Sequence, residues 1–414
     1  MQKKLTALPF VLITLLLSEA VPGSAASANL DKQVQAITRS AILIDTHNDI
    51  PSFTVDGDDI ARPAPSRHTD LPRLREGGVG AIFFSVFVAP DYVEGNHSAH
   101  RALELIDSVR QDVVAQHPKD FVLATTADDV VRAHKHHQIA ALMGLEGGHG
   151  IEDSPRLLRD FYALGIRYMT LTHTNTNTWA DSSGDLDDQK VQRHGGLTPL
   201  GKEIVQQMNR LGMIVDISHV SDETFRDALA TSKAPLLASH SSCRALTNVP
   251  RNMTDDMIKA MAAKGGVIQI NFNCGFLSQA SADAEKKSPF MDRFKQITKE
   301  YRNDPQKRRE ETEKLLAEAK KTQVRATLHD VVAHIDHVRQ IAGIDAIGIG
   351  SDFDGVDCTP EGLDDVSKFP NLTRALLEKG YSAGDIKKIY GENTLRLMRQ
   401  VEKVATTSSK TLIP

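Results

Sequence analysis

The chain has 414 residues, a quarter of them charged, and a formal net charge of −5 at pH 7. This mildly acidic balance gives no electrostatic footprint for nucleic acid, so no partner of that class is expected. Cys243, Cys274 and Cys358 are too few for a disulfide scaffold; one pair could form in an oxidising compartment, and the sequence does not say which.

The first 28 residues read as a secretory signal. Lys3 and Lys4 form its positive start, residues 5–17 its apolar stretch, and Gly23-Ser24-Ala25-Ala26-Ser27-Ala28 the region where cleavage is expected. That apolar stretch falls short of the roughly 20 residues a spanning helix needs. Residues 29–414 are expected to form one domain, periplasmic or secreted, with no stable membrane anchor once the signal is removed. The polar tail 406–414 carries no lipid-anchor signal.

From residue 41 onward, eight short apolar runs recur: 41–45, 79–88, 139–145, 167–172, 213–218, 235–239, 266–272 and 346–351. Helix-length segments separate most of them, which predicts parallel strands in βα units. Residues 30–39 form a helix before the first run; 99–116, 154–164, 198–211, 254–264 and 328–342 read as outer helices. Thr198-Pro199 and Thr254 are helix starts, and Gly165 and Gly212 are helix stops. Eight such units make an α/β fold, a (β/α)8 TIM-like barrel, whose active site belongs at the C-terminal strand ends. Residues 281–321 break the rhythm with charge, as in Lys307-Arg308-Arg309-Glu310-Glu311. They read as a helical insertion between strands seven and eight, on the catalytic face.

Chemistry gathers at those strand ends. His47 and Asp49 follow the first run, Glu146 the third, His173 the fourth, His219 the fifth, His240 the sixth and Asp352 the eighth. Residues i and i+2 at a strand end face the same side, so His47 and Asp49 can share one cation. His219 and His240 end neighbouring strands, and two neutral imidazoles suit Zn²⁺. A carboxylate has two oxygens, so Glu146 can bridge. The expected set is two Zn²⁺ per chain on His47, Asp49, Glu146, His219 and His240, with room for a bridging hydroxide and substrate. His149 is a rival to Glu146 but lies further into the loop. Asp352 is a general acid/base for moving a proton to a leaving amine, with Asp354 competing for that role. His173 can hydrogen-bond a carbonyl oxygen that turns negative.

These stretches resemble the membrane (renal) dipeptidase family of the amidohydrolase superfamily. The resemblance rests on Ile44-Asp45-Thr46-His47-Asn48-Asp49-Ile50-Pro51, Leu145-Glu146-Gly147-Gly148-His149, residues 167–173 with Trp179-Ala180-Asp181, Asp216-Ile217-Ser218-His219-Val220-Ser221, Ser239-His240-Ser241-Ser242, Asn248-Val249-Pro250-Arg251-Asn252, and residues 350–356 with Pro360-Glu361-Gly362-Leu363. It implies a binuclear zinc barrel that hydrolyses dipeptides, tolerates a D-residue at the C-terminal position and opens some β-lactam-related dehydropeptides. On that pattern His47 and Asp49 bind one zinc, His219 and His240 the other, and Glu146 bridges. His173 contacts the scissile carbonyl, Asp352 is the acid/base, and Arg251, which spacing alone does not reveal, holds the substrate's carboxylate. Homodimerisation is implied by the resemblance alone. Two features depart from it: many relatives carry a Tyr where this chain has Asn273-Cys274, and the 281–321 insertion exceeds the mammalian pattern. An amidohydrolase acting on a lactam or N-acyl amino acid would use the same site. A barrel that only binds metal or peptide would need neither Asp352 nor His173.

Overall fold

The computed structural model describes residues 22–301 and 304–410. The first 21 residues of the expected signal lie outside this range, and the helix expected at 30–39 spans Pro22–Ser40. Among the described residues, nine parallel strands follow in chain order: β1 Leu43–Asn48, β2 Val79–Phe87, β3 Phe121–Leu123, β4 Ile139–Glu146, β5 Ile166–Thr170, β6 Ile214–Asp216, β7 Leu237–Ser241, β8 Val267–Ile270 and β9 Ile347–Ile349. Eight of them close into a barrel in the order β1-β2-β4-β5-β6-β7-β8-β9, and pairing of Asp45 with Ile349 seals the ring. The strands match the eight apolar runs, with shifted ends. β3 is additional. It pairs with the start of β4, below the point where β5 begins.

Alternation along the strands sorts the apolar residues into two cores. Ile44, Phe83, Leu142, Tyr168, Leu237 and Val267 fill the barrel with Leu395 and Met398 from the last helix, Asn393–Lys410. Leu43, Phe84, Met143, Val215 and Ile268 face outward to the helical shell. The shell helices start where their caps require. Thr198 and Thr254 accept from the backbone N–H of Gly201 and Met257, and Pro199 occupies a first-turn position where its missing N–H costs nothing. Gly165 ends Pro155–Leu164 at φ 119°, a left-handed cap that a Cβ would strain.

Residues between β8 and β9 include two charged helices, Phe290–Glu300 and Pro305–Ala319. Arg309 grips Asp58 at 2.6 and 2.7 Å, and Glu313 receives Arg67 at 3.1 Å. Asp58 and Arg67 belong to the connection after β1, so the second helix is tied to the C-terminal side of the barrel. Cys274 and Cys358 form a disulfide joining the loops after β8 and β9, and Cys243 is free and buried.

Candidate metal centre and active site

The mouth is built by strand ends. His47 and His240 lie inside β1 and β7, Glu146 ends β4, and Asp49, His219 and Asp352 follow β1, β6 and β9. Glu146 sits at the centre. Its Oε2 is 3.4 Å from His47 Nε2, which lies 3.3 Å from Asp49 Oδ2. Its Oε1 is 3.1 Å from His219 Nε2 and 3.2 Å from His240 Nε2, and those two nitrogens are 2.9 Å apart. One carboxylate therefore presents one oxygen to each of two ligand pairs. All five residues expected from the sequence come together.

The donor chemistry of this cluster fits metal. His47 Nε2 is buried without a hydrogen-bond partner. Ser239 Oγ donates to Asp216 Oδ2 at 2.6 Å, so it accepts Nδ1–H of His240 at 2.7 Å and leaves Nε2 bare. Tyr168 Oη holds the far nitrogen of His47 at 2.7 Å. Such outer hydrogen bonds fix the ring that faces a cation. Ser85 donates to Glu146 Oε2 at 3.2 Å.

The electrostatics agree. Burial resists a charge on Glu146, yet His47, His173 and the hydrogen bonds from His219 and His240 outweigh it and hold its carboxyl well below the usual range. Burial pushes His219 and His240 well below the usual imidazole value, with Arg251 and other neighbouring His residues adding to the effect, so both are neutral donors. Burial opposes a charge on His47 too, but Tyr168, Glu146 and Asp49 more than offset it and raise its pKa well above the usual value. This pocket is built to hold positive charge.

Around the cluster stand the groups expected to act on substrate. Asp352 occupies the left-handed region at φ 63°, a conformation that costs roughly 1–3 kcal/mol for a residue with a side chain. Its N–H bonds His47 O at 3.0 Å, and Asn271 Nδ2 donates to its Oδ2 at 2.9 Å. Oδ1 lies 4.0 Å from His47 Nε2. Burial raises its pKa to about 8; His47 opposes the rise, and Asp49 and Glu146 add to it. Gly355 packs so closely that a Cβ there would lie 2.3 Å from Asp49 Oδ2 and 2.5 Å from Asp352 Oδ1. Asp354 turns away and accepts the His68 N–H at 2.7 Å. His149 bonds the Val88 carbonyl at 2.8 Å and stands outside the ligand set.

His173 Nε2 is 3.8 Å from Glu146 Oε1, its ring between those of Phe87 and His219, and burial lowers its pKa to about 4. Arg251 reaches in from the β7 loop. Nη1 donates to Ser241 Oγ and Nη2 to the His240 carbonyl, both at 2.8 Å. Its Nε is buried and unpaired. One N–H of the guanidinium is thus left without a partner. Sequence reasoning missed the supporting groups Tyr168, Asp216, Ser239 and Asn271. Asp216, like Asp45, did leave a signal: a charged residue inside an apolar run, ahead of a candidate ligand.

A closed parallel barrel with a carboxylate between two histidine-containing pairs defines a (β/α)8 metallohydrolase. The chain belongs to the membrane dipeptidase family, peptidase family M19, whose model matches residues 31–411, and it is a metallo-dipeptidase of that family. It is 37% identical over 399 residues to dipeptidase verJ of Clonostachys rogersoniana, covering 92% of this chain and 90% of that protein. The fold matches the crystal structure of the probable dipeptidase PvdM from Pseudomonas aeruginosa, with TM-score 0.76 and 25% identity over 91% of this chain and all of the other. It also matches a metallo peptidase from Rhodobacter sphaeroides liganded with a phosphinate mimic of the dipeptide L-Ala-D-Ala. There the TM-score is 0.68 and the identity 23%, covering 87% of this chain and all of that one.

If the cluster holds two metals and Glu146 serves both ligand pairs, Glu146→Gln should weaken the two positions together. An amide offers one oxygen and no charge. Elemental analysis after dialysis against a weak chelator is expected to show both equivalents falling in parallel. Loss of one equivalent, with the other held as tightly as in the wild type, would contradict the shared role.

Proposed function

We propose that this chain is a zinc-dependent dipeptidase holding two zinc ions, with Glu146 bridging, and that it accepts a D-residue at the C-terminal position. The observation that carries the reading is the division of Glu146: one oxygen toward His47 and Asp49, the other toward His219 and His240. Imidazole and carboxylate donors of this kind suit zinc. Bound there, zinc would supply Lewis acidity, polarising a carbonyl and lowering the pKa of water.

The chain's own residues do the rest. Arg251 offers the edge that carries its unpaired Nε–H to the substrate's α-carboxylate. A bidentate guanidinium–carboxylate pair fixes direction as well as position, so one residue fits beyond the scissile bond. His173, neutral because it is buried, donates a hydrogen bond to the carbonyl oxygen as it gains charge. Asp352 accepts a proton from the attacking water at Oδ1, the oxygen nearest His47, while Asn271 holds Oδ2. It then delivers that proton to the departing amine. The L-Ala-D-Ala mimic held by the Rhodobacter protein supports the D-tolerance.

Export to a periplasm or to the medium is part of the same reading. The leader supports it, as does the Cys274–Cys358 disulfide, which persists in oxidising compartments. No helix among the described residues is long and apolar enough to cross a membrane. The test is a substrate panel of L,L- and L,D-dipeptides, their C-terminal amides, N-acyl amino acids and a lactam. Both dipeptide classes should be cleaved with the highest kcat/KM. A preference for N-acyl amino acids or the lactam would replace this reading with the wider amidohydrolase one.

A further inference from the structure

Arg251 sits on the loop that leaves β7, and a second arginine brackets it. Arg244 Nη2 donates to the carbonyl of Pro250 at 2.9 Å, and its Nε to the carbonyl of Asn252 at 2.8 Å. Those are the carbonyls of the two residues on either side of Arg251. The same guanidinium is held bidentately by Asp222, at 2.8 and 2.7 Å. Asp222 opens the helix Asp222–Thr231, which follows β6 and His219. The backbone closes the loop as well: Arg244 N–H bonds Met253 O at 2.8 Å, and Met253 N–H bonds Ser242 O at 2.9 Å. Asn252 turns its amide inward, donating to Thr247 O and Phe276 O at 2.9 Å each.

We infer that Arg244, anchored by Asp222, is a positioning residue that sets selectivity for a free α-carboxylate. It does so by fixing the backbone on both sides of Arg251. The inference rests on reading Arg251 as the carboxylate clamp. The side-chain polar partners of Arg244 are Asp222 and the carbonyls of Pro250 and Asn252, none of them in the five-residue cluster. On this inference Arg244 and Asp222 act through where the Arg251 fork points. A fork–fork pair is unforgiving: both N–H bonds need their oxygens in line, and a shift of about 1 Å in a positioned group can cost up to 10²-fold. Lysine cannot replace Arg244, because one ammonium on a flexible stem cannot hold a bidentate carboxylate and two separate carbonyls in fixed directions.

The experiment compares kcat and KM for a dipeptide and its C-terminal amide on the full-length, zinc-loaded protein. Wild type, Arg244→Lys, Asp222→Asn and Arg251→Ala are assayed together, with zinc content and melting temperature recorded. Asp222→Asn is the milder change and keeps the test decisive if Arg244→Lys does not fold. The expected result is a rise in KM for the dipeptide of about tenfold in both positioning variants, with kcat nearly unchanged. Amide turnover and zinc content should match wild type, so the acid-to-amide ratio of kcat/KM falls about tenfold. A merely structural role would lower both substrates together and leave that ratio intact, overturning the inference. If wild type discriminates and Arg251→Ala does not, while both positioning variants keep the wild-type ratio, the inference alone fails. If wild type cleaves acid and amide equally, the clamp fails and this inference goes with it.

Discussion

Replacing Asp352 by Asn is expected to leave the metals in place and cut kcat by about 10²–10⁴-fold, the usual worth of a general acid–base group. The substitution preserves shape. Asn271 can still donate to the side-chain oxygen it now holds at 2.9 Å, and the N–H bond to His47 O is untouched. What disappears is the capacity to take a proton, since an amide oxygen is not a base near neutral pH. Burial among Asp49 and Glu146 already places this carboxyl far above an ordinary aspartate. That environment suits a group that must both accept and release a proton. Asp354→Asn is the control, because its carboxylate is turned to the His68 N–H. Near-normal turnover in Asp352→Asn, together with a dead Asp354→Asn, would move the role two residues along.

Arg251→Ala should produce the second large effect, and it should be selective. Two charge-assisted hydrogen bonds to a carboxylate are worth roughly 1.5–3 kcal/mol each, so kcat/KM for a dipeptide should fall by about 10²-fold or more, mostly through KM. The C-terminal amide of the same dipeptide should lose little, because it never engaged the clamp fully. Arg251→Lys should recover only part of the loss. Arg251 also holds Ser241 Oγ and the His240 carbonyl, so zinc content must be checked alongside. Equal losses for acid and amide, with zinc retained, would mean that Arg251 supports the site without reading the carboxylate.

Much of the barrel was legible because its strands are buried on both faces and so read as unbroken apolar runs. Their ends were harder to place, for a physical reason. β1 runs on through Thr46, His47 and Asn48, past the run that ends at Asp45. Those polar residues are fully buried; Thr46 Oγ1 donates to the carbonyl of Ser239 at 2.7 Å and Asn48 Nδ2 to Thr69 Oγ1 at 2.8 Å, while His47 Nε2 faces the ligand cluster. Hydropathy fails where the strand itself carries the chemistry. β3 was missed because three residues pairing with one end of β4 leave no pattern. The five cluster residues were legible because the fold dictates where strand ends point. Arg251 was not, since it lies 11 residues beyond His240 on a loop whose path no periodicity reveals. Cysteine pairing was also left open; the spatial meeting of the β8 and β9 loops decides it for Cys274 and Cys358.

The central claim is that two metal positions sharing Glu146 make this barrel a dipeptidase, and one titration tests it most directly. Metal-free protein is prepared by chelation, and Zn²⁺ is added in fractions of an equivalent while dipeptide hydrolysis and bound zinc are followed together. The account expects little activity from the stripped protein and a rise that levels off at two bound equivalents per chain. Full activity at a single equivalent, or hydrolysis that persists in the metal-free protein, would contradict it.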